Sequence, residues 1–305
     1  HLLFALLDQK DGIIPPLVTP LLDNDTLDKE GLERLIEYTL SGGVHGIFIL
    51  GTTGEFAGLS YRLRRELITH TCRQVNSRVP VLVGITDSSC IESVNLANYA
   101  AECGADAVVL APPYYFTITQ TEFLEYLKRI MIQIPLPLFL YNIPSYTKIM
   151  LAPETVRLAA EIPTIVGIKD SSSDLVYLKQ VQYALRDKKD FTFLVGPEEF
   201  MAEFVLTGGH GGVSGGANMF PKLFVNLYDA AVNRDLDEIV FLQKKVMQIS
   251  TTIYNVGQYG SSYLKGLKCA LSIMGICGDF MAEPFYRFNK VERKKIEEAL
   301  NAMEI

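Results

Sequence analysis

The feature that most constrains the fold is the repeated alternation of eight short apolar segments with helix-type segments along residues 12–233. The apolar segments are 12–20, 46–50, 81–84, 107–110, 137–141, 164–168, 192–195 and 211–214. Each is apolar throughout rather than alternating, which is typical of strands buried on both faces, and parallel neighbours require a crossover connection. Eight such units in about 230 residues favour a TIM barrel over an open doubly wound sheet.

Helix-type segments follow these strands at 28–41, 60–77, 91–103, 121–134, 153–160, 175–185, 198–206 and 221–232. Beyond Asn233 the pattern changes to helices at 236–252, 263–274 and 291–303, with no strand between them. The sequence therefore predicts an α/β fold, with a (β/α)8 TIM barrel as the catalytic domain over residues 1–233 and a C-terminal helical segment over residues 234–305. We expect that segment to pack on the barrel or on a neighbouring subunit.

Composition and charge narrow the classes of partner and compartment. Of 305 residues 49% are hydrophobic and 21% are charged, and the net charge is −7 with no basic cluster, so nucleic acid and anionic membrane are poor candidates as partners. No apolar run approaches the roughly 18 residues of a spanning helix. Five scattered cysteines predict reduced thiols in a cytoplasmic protein, and no Cys/His spacing predicts a metal site.

The opening residues 1–7 are apolar but lack a basic start and a small-residue cleavage site. This pattern is a poor match to a signal peptide. We expect the segment to pack on the body of the protein or to be a truncated start.

Lys169 stands at the end of the apolar segment 164–168, and Asp170-Ser-Ser-Ser-Asp174 then has the composition of a turn and a helix N-cap. A lysine in this place is uncommon, because burying an ammonium is costly unless the amine loses its proton. A neutral amine can attack a carbonyl and form a Schiff base. The alternative is a lysine that reaches solvent or pairs with a carboxylate, and the strand alone does not decide between them.

Barrel enzymes carry their chemistry at the C-terminal ends of the strands. The side chains that this chain offers there are Thr52, Thr53, Asp87, Tyr114, Tyr115, Tyr141, Asn142, Lys169, Asp170, Glu198, Glu199 and Ser214. An amine, several hydroxyls and glycine-rich turns suit imine chemistry on a 2-oxo acid, in which the lysine forms the imine, the two threonines hold the carboxylate and a tyrosine moves protons.

Each of these features has a structural alternative. The turn at 51–55 is either a tight strand-to-helix connection or a cradle for an anion. Tyr141 and the tyrosines at 114 and 115 can be packing residues, and the acids at 198 and 199 can be the charged first turn of a helix. The glycines at 208–216 do not have the dinucleotide-binding spacing, and they suit either a phosphate or close backbone packing.

Four motifs together carry a resemblance that none of them carries alone. Gly51-Thr-Thr-Gly-Glu55, Pro113-Tyr-Tyr115, Tyr141-Asn-Ile-Pro144 and Gly167-Ile-Lys-Asp170, in this order and at these distances, resemble the dihydrodipicolinate synthase / N-acetylneuraminate lyase family. The resemblance runs from about Gly12 to the C-terminal helices. It implies a (β/α)8 barrel with three C-terminal helices, a homotetramer, and a class I pyruvate aldolase that needs no metal or other cofactor beyond the covalent imine.

The resemblance also implies roles for individual residues. Lys169 would form a Schiff base with pyruvate, and Tyr141 would be the general acid and base. The turn of Gly51, Thr52 and Thr53 would supply the relay hydroxyl, at Thr52, and the carboxylate-binding hydroxyl, at Thr53. Tyr115 would complete the proton relay in a neighbouring subunit's site, and the backbone carbonyl of Val213 would line the site.

One position departs from the pattern of the synthases. These have an arginine for the aldehyde's carboxylate where this chain has Tyr146, and a phenol cannot provide a charged bidentate fork. In the sugar-acid aldolases, acids after the seventh strand contact substrate hydroxyls, and Glu198 and Glu199 resemble that arrangement. The expected partners are therefore pyruvate and an aldehyde, with a polyhydroxylated, sugar-acid or sialic-acid type 2-oxo acid as substrate.

Four alternatives remain open at this point. Two use the same imine: the synthase, with another group in place of the arginine, and a dehydratase of 2-oxo-3-deoxy sugar acids. The others are a non-catalytic barrel in which Lys169 is structural, and a phosphate-binding barrel enzyme that uses the glycines at 208–216.

Overall fold

The computed structural model describes residues 11–303, so the apolar residues 1–7 lie outside the described part of the chain. Its strands are Gly12–Ile13 (β1), Leu21–Asp23 (β2), Thr26–Leu27 (β3), Ile47–Ile49 (β4), Val81–Gly84 (β5), Ala107–Leu110 (β6), Leu138–Asn142 (β7), Ile165–Asp170 (β8), Thr192–Val195 (β9) and Gly211–Gly212 (β10). Eight of them form one parallel sheet in the order β1-β10-β9-β8-β7-β6-β5-β4, and β2 and β3 form a separate antiparallel hairpin.

Backbone contacts between the first strand and β4 close this sheet into a barrel. Pro16 forms a parallel bridge with Phe48. The Leu17 amide donates to the Phe48 carbonyl at 2.8 Å, and the Phe48 amide donates to the Pro15 carbonyl at 3.0 Å. Pro15 and Pro16 have no amide to donate, which explains why regular pairing stops before them although the chain stays extended. The predicted (β/α)8 barrel is confirmed.

Strand residues alternate between the barrel interior and the layer beneath the helices. One buried cluster fills the interior and includes Ile14, Phe48, Leu82, Val109, Phe139, Tyr141, Val166, Leu194 and Val213. The intervening strand residues, such as Ile47, Val83 and Leu140, join a larger cluster with the helices. Both faces of each strand are thus apolar, which is why the sequence shows continuous apolar runs.

The strand β8 carries a bulge opposite β7. The register pairs Phe139 with Gly167 and leaves Val166 without a partner across from β7. A Cβ on residue 167 would lie 2.6 Å from the ring of Phe139 and 2.7 Å from the carbonyl oxygen of Thr192. Glycine is therefore required here, and the bulge adds one residue to β8.

This bulge decides which way Lys169 points. Val166 lies in the barrel interior, so uninterrupted alternation would place Ile168 inside and Lys169 on the helix side. The extra residue shifts the alternation by one, and Ile168 packs in the outer core instead. Lys169 pairs in register with Tyr141, which belongs to the interior cluster. The lysine therefore enters the barrel.

The helices follow the predicted order, with one additional short helix, Pro144–Thr147, that was not predicted. They span Lys29–Ser41, Tyr61–Val75, Cys90–Glu102, Gln120–Met131, Pro144–Thr147, Pro153–Ala159, Leu175–Ala184, Met201–Leu206, Pro221–Asn233, Leu236–Thr252, Ser262–Ile273 and Lys290–Asn301. The side chains of Asp28, Ser60 and Asp174 cap the helices that follow them, as short polar residues at such positions do. None of the helices within residues 11–303 has both the length and the apolar character to cross a membrane.

The first strand is shorter than the predicted 12–20, and two further differences from prediction lie after β9 and β10. The helix predicted at 198–206 begins as a 3₁₀ turn, Glu198–Phe200, and becomes α-helical only at Met201. The strand predicted at 211–214 is shorter, because the chain turns into a second 3₁₀ segment, Gly215–Asn218. Both turns redirect side chains at the end of the barrel where the sequence placed the site.

The C-terminal helices join the barrel through a buried ion pair. Lys268 Nζ contacts the carboxylate of Glu55, and the two side chains are 1% and 2% exposed. Lys268 also donates to the Phe280 carbonyl at 2.7 Å, and the Ala282 amide donates to the Glu55 carboxylate at 2.8 Å. The turn after β4 and the C-terminal segment are thus tied to each other by charge and by hydrogen bonds.

Candidate active site

Lys169 lies in the barrel interior near the C-terminal end of β8, and only 5% of its surface is exposed. Its Nζ lies 4.1 Å from the centroid of the Tyr141 ring and 5.1 Å from that of the Phe48 ring. Within residues 11–303, no carboxylate pairs with this amine and no hydrogen bond holds it. Neither a solvent-exposed nor a carboxylate-paired lysine fits this placement, whereas a nucleophilic amine does.

Two adjacent threonines follow β4, and each meets the hydroxyl of a tyrosine. Thr52 Oγ1 lies 3.2 Å from the hydroxyl oxygen of Tyr141. Thr53 Oγ1 lies 3.2 Å from the hydroxyl oxygen of Tyr263. The threonines therefore connect the interior tyrosine beside Lys169 with a second tyrosine that comes from the C-terminal helices.

The turn that carries these threonines packs against the ring on which Lys169 also lies. A Cβ on Gly51 would lie 2.7 Å from the ring of Phe48, so glycine is needed for this approach. Leu50 adopts a left-handed backbone with φ 58°, which costs about 1–3 kcal/mol for such a residue and persists only where its surroundings hold it. The Thr19 hydroxyl supplies part of that support, since it donates to the Gly54 carbonyl at 2.7 Å.

Asp170 and Asn142 tie together the ends of β8 and β7. Asp170 is fully buried, and its carboxylate accepts hydrogen bonds from Asn142 Nδ2 at 2.7 Å and from the Ser172 hydroxyl at 2.8 Å. Burial raises the pKa of Asp170, and these hydrogen bonds partly oppose the shift. Asn142 directly follows Tyr141, and Asp170 directly follows Lys169. The hydrogen bond between Asn142 and Asp170 therefore keeps Tyr141 and Lys169 in register.

A cavity of about 290 Å³ lies at this end of the barrel. Of the predicted site residues, Thr52, Tyr141 and Tyr146 line it. The lysine does not line it but lies against Tyr141, which does. Of the other predicted residues, Thr53 and Gly51 are buried in the turn after β4. The cavity volume is near the lower end of those typical for small-molecule sites.

The charges around this cavity limit what it can bind. No lysine, arginine or histidine occurs among the described residues that line it, and Tyr146 presents a phenol where the resemblance leads us to expect an arginine in a synthase. Hydroxyl groups and the carboxylate of Glu283 are its exposed polar features. Residues 11–303 also contain no group of three or more His, Cys, Asp or Glu side chains suited to holding a metal ion.

Glu198 and Glu199, which were expected to contact substrate hydroxyls, are hydrogen-bonded to other parts of the chain. Glu198 accepts hydrogen bonds from the Gly216 amide at 2.8 Å and from the Tyr254 hydroxyl at 2.7 Å. Glu199 accepts one from the Ser250 hydroxyl at 2.6 Å, and neither glutamate lines the cavity. Burial raises the pKa of Glu198 to about 7. The 3₁₀ turn after β9 directs both carboxylates to neighbours that are distant in sequence.

Tyr114, rather than Tyr115, reaches the cavity of the same chain. Tyr114 lines the cavity and packs edge-on to Phe56, with ring centroids 6.3 Å apart. Tyr115 is 73% exposed and packs on Phe116 instead. The role of Tyr115 in a neighbouring subunit stays a prediction. Val213 lies in the interior cluster with Tyr141, and the role of its carbonyl in lining the site also stays a prediction.

Residues of the C-terminal segment enter the site and were not predicted. Tyr263 reaches Thr53, and Leu264 and residues 282–285 line the cavity. A Cβ on Gly58 would lie 2.8 Å from the carbonyl oxygen of Glu283, so the two segments are in close backbone contact. The sequence around these residues is that of an ordinary helix start and loop, and no local signal marks them.

The glycines at 208–216 are explained at several positions by packing. A Cβ on Gly211 would lie 2.0 Å from the Gly12 carbonyl oxygen, and one on Gly209 would lie 2.3 Å from the ring of Phe204. The close approach of β10 to β1 therefore accounts for small residues without a bound phosphate.

Known proteins show similarity along nearly the whole chain. A family model described as the dihydrodipicolinate synthetase family matches residues 9–303. The Escherichia coli (strain K12) protein named "Probable 2-dehydro-3-deoxy-D-pentonate aldolase YjhH" is 35% identical over 240 residues, which cover 78% of this chain and 80% of that protein.

Solved structures agree with the barrel and with the sequence match. Dihydrodipicolinate synthase from Bacteroides thetaiotaomicron has a TM-score of 0.94 at 61% identity, with 96% of this chain and 98% of that chain covered. YagE from E. coli K12, in complex with pyruvate, has a TM-score of 0.90 at 28% identity, with 96% and 98% covered. From the site geometry, the family model and these relatives together, the chain is an enzyme of the lyase type and belongs to the dihydrodipicolinate synthetase family.

Proposed function

We propose that this enzyme forms a Schiff base between Lys169 and a 2-oxo acid, and that it makes or breaks the carbon–carbon bond between pyruvate and an aldehyde. The arrangement of Lys169, Tyr141 and Thr52 carries the proposal. A buried amine without an ionic partner in the described chain lies on a phenol ring whose hydroxyl meets a threonine hydroxyl. The neighbour YagE, solved with pyruvate, supports a 2-oxo acid as the ligand.

In the cleavage direction, the neutral amine of Lys169 adds to the 2-oxo carbon. The hydroxyl of the resulting carbinolamine takes the proton of Tyr141 and leaves as water, which produces the protonated imine and the phenolate of Tyr141. The protonated imine then accepts the electron pair of the breaking bond between C3 and C4. The phenolate of Tyr141 takes the proton of the C4 hydroxyl, and the aldehyde leaves. Tyr141 then gives the proton it has taken to C3 of the remaining enamine, and water hydrolyses the imine to release pyruvate and the amine.

The threonines divide two tasks in this proposal. Thr52 contacts the hydroxyl of Tyr141 and passes protons to and from it. The hydroxyl of Thr53 and the backbone amides of the turn at 51–53 hold the carboxylate of the 2-oxo acid, which can only accept hydrogen bonds. The imine itself is the electron sink, so these steps require no further cofactor.

The proposed substrate is a polyhydroxylated 2-oxo acid that yields an uncharged aldehyde. No basic side chain lines the described cavity, whereas Thr86, Tyr114, Tyr146 and Glu283 offer hydroxyl and carboxylate partners. A second carboxylate would lose its charged hydrogen bonds, at a cost of about 1.5–3 kcal/mol each. The printed name of the E. coli relative, an aldolase of a 2-dehydro-3-deoxy pentonate, supports the same class.

The synthase reaction, which gives 4-hydroxy-tetrahydrodipicolinate, is the second candidate. The B. thetaiotaomicron protein described as a dihydrodipicolinate synthase is 61% identical to this chain, which favours it. Against it stands the phenol of Tyr146, because the aldehyde of that reaction carries a carboxylate. A dehydratase acting on the same imine would instead release a dehydrated oxo acid.

The proposal extends to assembly and compartment. We expect a homotetramer in which the exposed ring of Tyr115 enters the site of a neighbouring subunit. The five cysteines are free, which suits a reducing, cytoplasmic compartment. Native mass spectrometry tests the assembly, and a variant that changes Tyr115 to alanine should lower both the subunit association and the turnover.

Borohydride reduction in the presence of pyruvate, read by intact mass and peptide mapping, tests the proposed function. We expect one pyruvate-derived adduct, confined to Lys169 and absent from a Lys169→Arg variant. The matched control is Lys179→Met, which removes a partly buried lysine on the helix Leu175–Ala184 and should keep the adduct. Absence of an adduct at saturating pyruvate across a range of pH would refute the proposal.

A screen of aldehydes then separates the candidates. Consumption of pyruvate with uncharged polyhydroxylated aldehydes, and not with aspartate semialdehyde, is the expected result. The reverse preference would favour the synthase. A dehydrated oxo acid formed from a 2-oxo-3-deoxy sugar acid, without free pyruvate, would favour the dehydratase.

A further inference from the structure

Tyr263 reaches from the C-terminal helices into the turn that follows β4. It lies in the first turn of the helix Ser262–Ile273, and its hydroxyl oxygen is 3.2 Å from Thr53 Oγ1. A Cβ on Gly215 would lie 1.6 Å from this hydroxyl oxygen, so glycine is required there for the hydroxyl to occupy its place. The backbone near β10 thus leaves room for the hydroxyl beside the threonine.

Neighbouring side chains hold the ring of Tyr263 in this position. The ring of Tyr254 packs edge-on against it, with centroids 4.8 Å apart and an interplanar angle of 74°. The hydroxyl of Tyr254 donates to Glu198 at 2.7 Å, and Glu198 also accepts from the Gly216 amide at 2.8 Å. Glu198, which was expected in the substrate site, therefore holds Tyr254, and Tyr254 in turn packs against the tyrosine that contacts Thr53.

We propose that Tyr263 is a positioning residue that orients the hydroxyl of Thr53 toward the carboxylate of the 2-oxo acid. This inference rests on the proposed function. A threonine hydroxyl has one proton, and a carboxylate can only accept. When Thr53 donates to the carboxylate, its oxygen is left to accept, and Tyr263 is the donor within reach. The phenol therefore selects the one orientation of the threonine proton that binds substrate.

The two neighbouring threonines make the inference specific. Thr52 contacts Tyr141, whose ring lies beside Lys169, so loss of that contact should slow proton transfer. Thr53 contacts Tyr263, whereas the rings that lie near the Lys169 amine within residues 11–303 are those of Phe48 and Tyr141. Loss of Tyr263 should weaken the binding of the oxo acid and leave the later chemical steps nearly unchanged.

The test is the Tyr263→Phe variant, which removes one hydroxyl and keeps the ring. The pyruvate concentration that gives half-maximal borohydride trapping at Lys169, and KM for pyruvate, should rise about 3- to 10-fold, the effect of one hydrogen bond. The value of kcat should stay within about twofold. The matched control is Tyr126→Phe, which removes a buried tyrosine hydroxyl on the helix Gln120–Met131, away from the cavity, and should leave the pyruvate requirement unchanged.

A double-mutant cycle shows whether the effect passes through the threonine. In a Thr53→Val background, Tyr263→Phe should change the half-maximal pyruvate concentration less than twofold, because the orienting contact is already lost. The same 3- to 10-fold effect in that background would overturn the proposal. Gly215→Ala, which displaces the hydroxyl without removing it, provides a second variant and should raise the pyruvate requirement at least as much.

The failure of this inference is distinguishable from that of the proposed function. If the wild-type protein forms no adduct with pyruvate, the Schiff-base proposal fails and this inference fails with it. If the wild type forms the adduct and Tyr263→Phe and Gly215→Ala both keep its pyruvate dependence, only the positioning role of Tyr263 is overturned.

Discussion

Replacing Glu55 by glutamine removes the negative charge from a buried ion pair that joins the barrel to the C-terminal helices. The side chains of Glu55 and Lys268 are 2% and 1% exposed, so water cannot solvate the ammonium that loses its partner. Glutamine keeps an acceptor for the Ala282 amide, and Lys268 keeps its bond to the Phe280 carbonyl. The change therefore isolates the cost of one uncompensated, buried ammonium.

The expected loss of stability is large. Removing one partner of a buried pair costs about 3–5 kcal/mol of unfolding free energy. At roughly 2.1 cal/mol/K per residue, the unfolding entropy of 305 residues is about 0.6 kcal/mol/K, so Tm should fall by about 5–8 °C. KM for pyruvate should rise as well, because Glu55 ends the turn that carries Thr52 and Thr53.

Thermal unfolding followed by circular dichroism measures the shift. The matched control is Glu37→Gln, which breaks the exposed pair with Arg78, whose side chains are 53% and 45% exposed. Such a surface pair contributes about 0–1 kcal/mol. In the double variant Glu55→Gln/Lys268→Met both charges are absent, and part of the stability should return.

Two results would refute this reasoning. A Tm for Glu55→Gln as close to wild type as that of the surface control would show that the buried charge is compensated elsewhere. A double variant with the full sum of the two single losses would show that Glu55 and Lys268 are not coupled.

Three further predictions concern the site and its support. Gly167→Ala should lower the unfolding free energy measured in urea by about 1–3 kcal/mol and should trap less pyruvate, because its Cβ overlaps the Phe139 ring. A variant with wild-type stability and wild-type trapping would contradict the argument from the bulge. Tyr141→Phe should lower kcat for carbon–carbon cleavage about 10²- to 10⁴-fold while the pyruvate adduct still forms. An equal loss of cleavage and of adduct formation would contradict the assignment of Tyr141 to proton transfer. Burial raises the pKa of Glu198 from 4.5 to about 7, so the folded state binds this proton more tightly than the unfolded state does. As the pH rises from about 4.5 to about 7, the unfolding free energy of the wild type should therefore fall by up to about 3 kcal/mol relative to that of Glu198→Gln. Parallel pH curves for the two proteins would contradict the shift.

Much of the barrel could be predicted because its strands leave a strong local pattern. Val81–Gly84, Ala107–Leu110 and Thr192–Val195 match the predicted strands residue for residue, since each is a short apolar run between polar turns. Helix starts at Asp28 and Ser60 were equally readable, because capping depends on neighbours within one turn.

Part of the site followed from the same pattern. The C-terminal ends of parallel strands meet at one end of a barrel, so residues that directly follow strands are brought together whatever their distance in sequence. This places Lys169 opposite Tyr141, and it places the turn with Thr52 against Tyr141. The arginine position filled by Tyr146 was equally visible, because it lies in the same motif.

The partners of Glu198 and Glu199, and the entry of Tyr263 and residues 282–285 into the site, were decided by the tertiary structure alone. The hydrogen bonds that define these contacts join residues that are 18 to 227 positions apart in the sequence. Their geometry depends on how the C-terminal helices pack on the barrel, and no local period encodes that packing.

The direction of Lys169 is the clearest case of what each level determines. The sequence by itself determined that an amine stands at the end of a buried strand, because the apolar run and its turn are local features. It could not determine the face, since Val166 and Ile168 are both apolar and both faces of β8 are buried. Only the bulge at Gly167, imposed by the Phe139 ring and the neighbouring strand, turns Lys169 into the barrel.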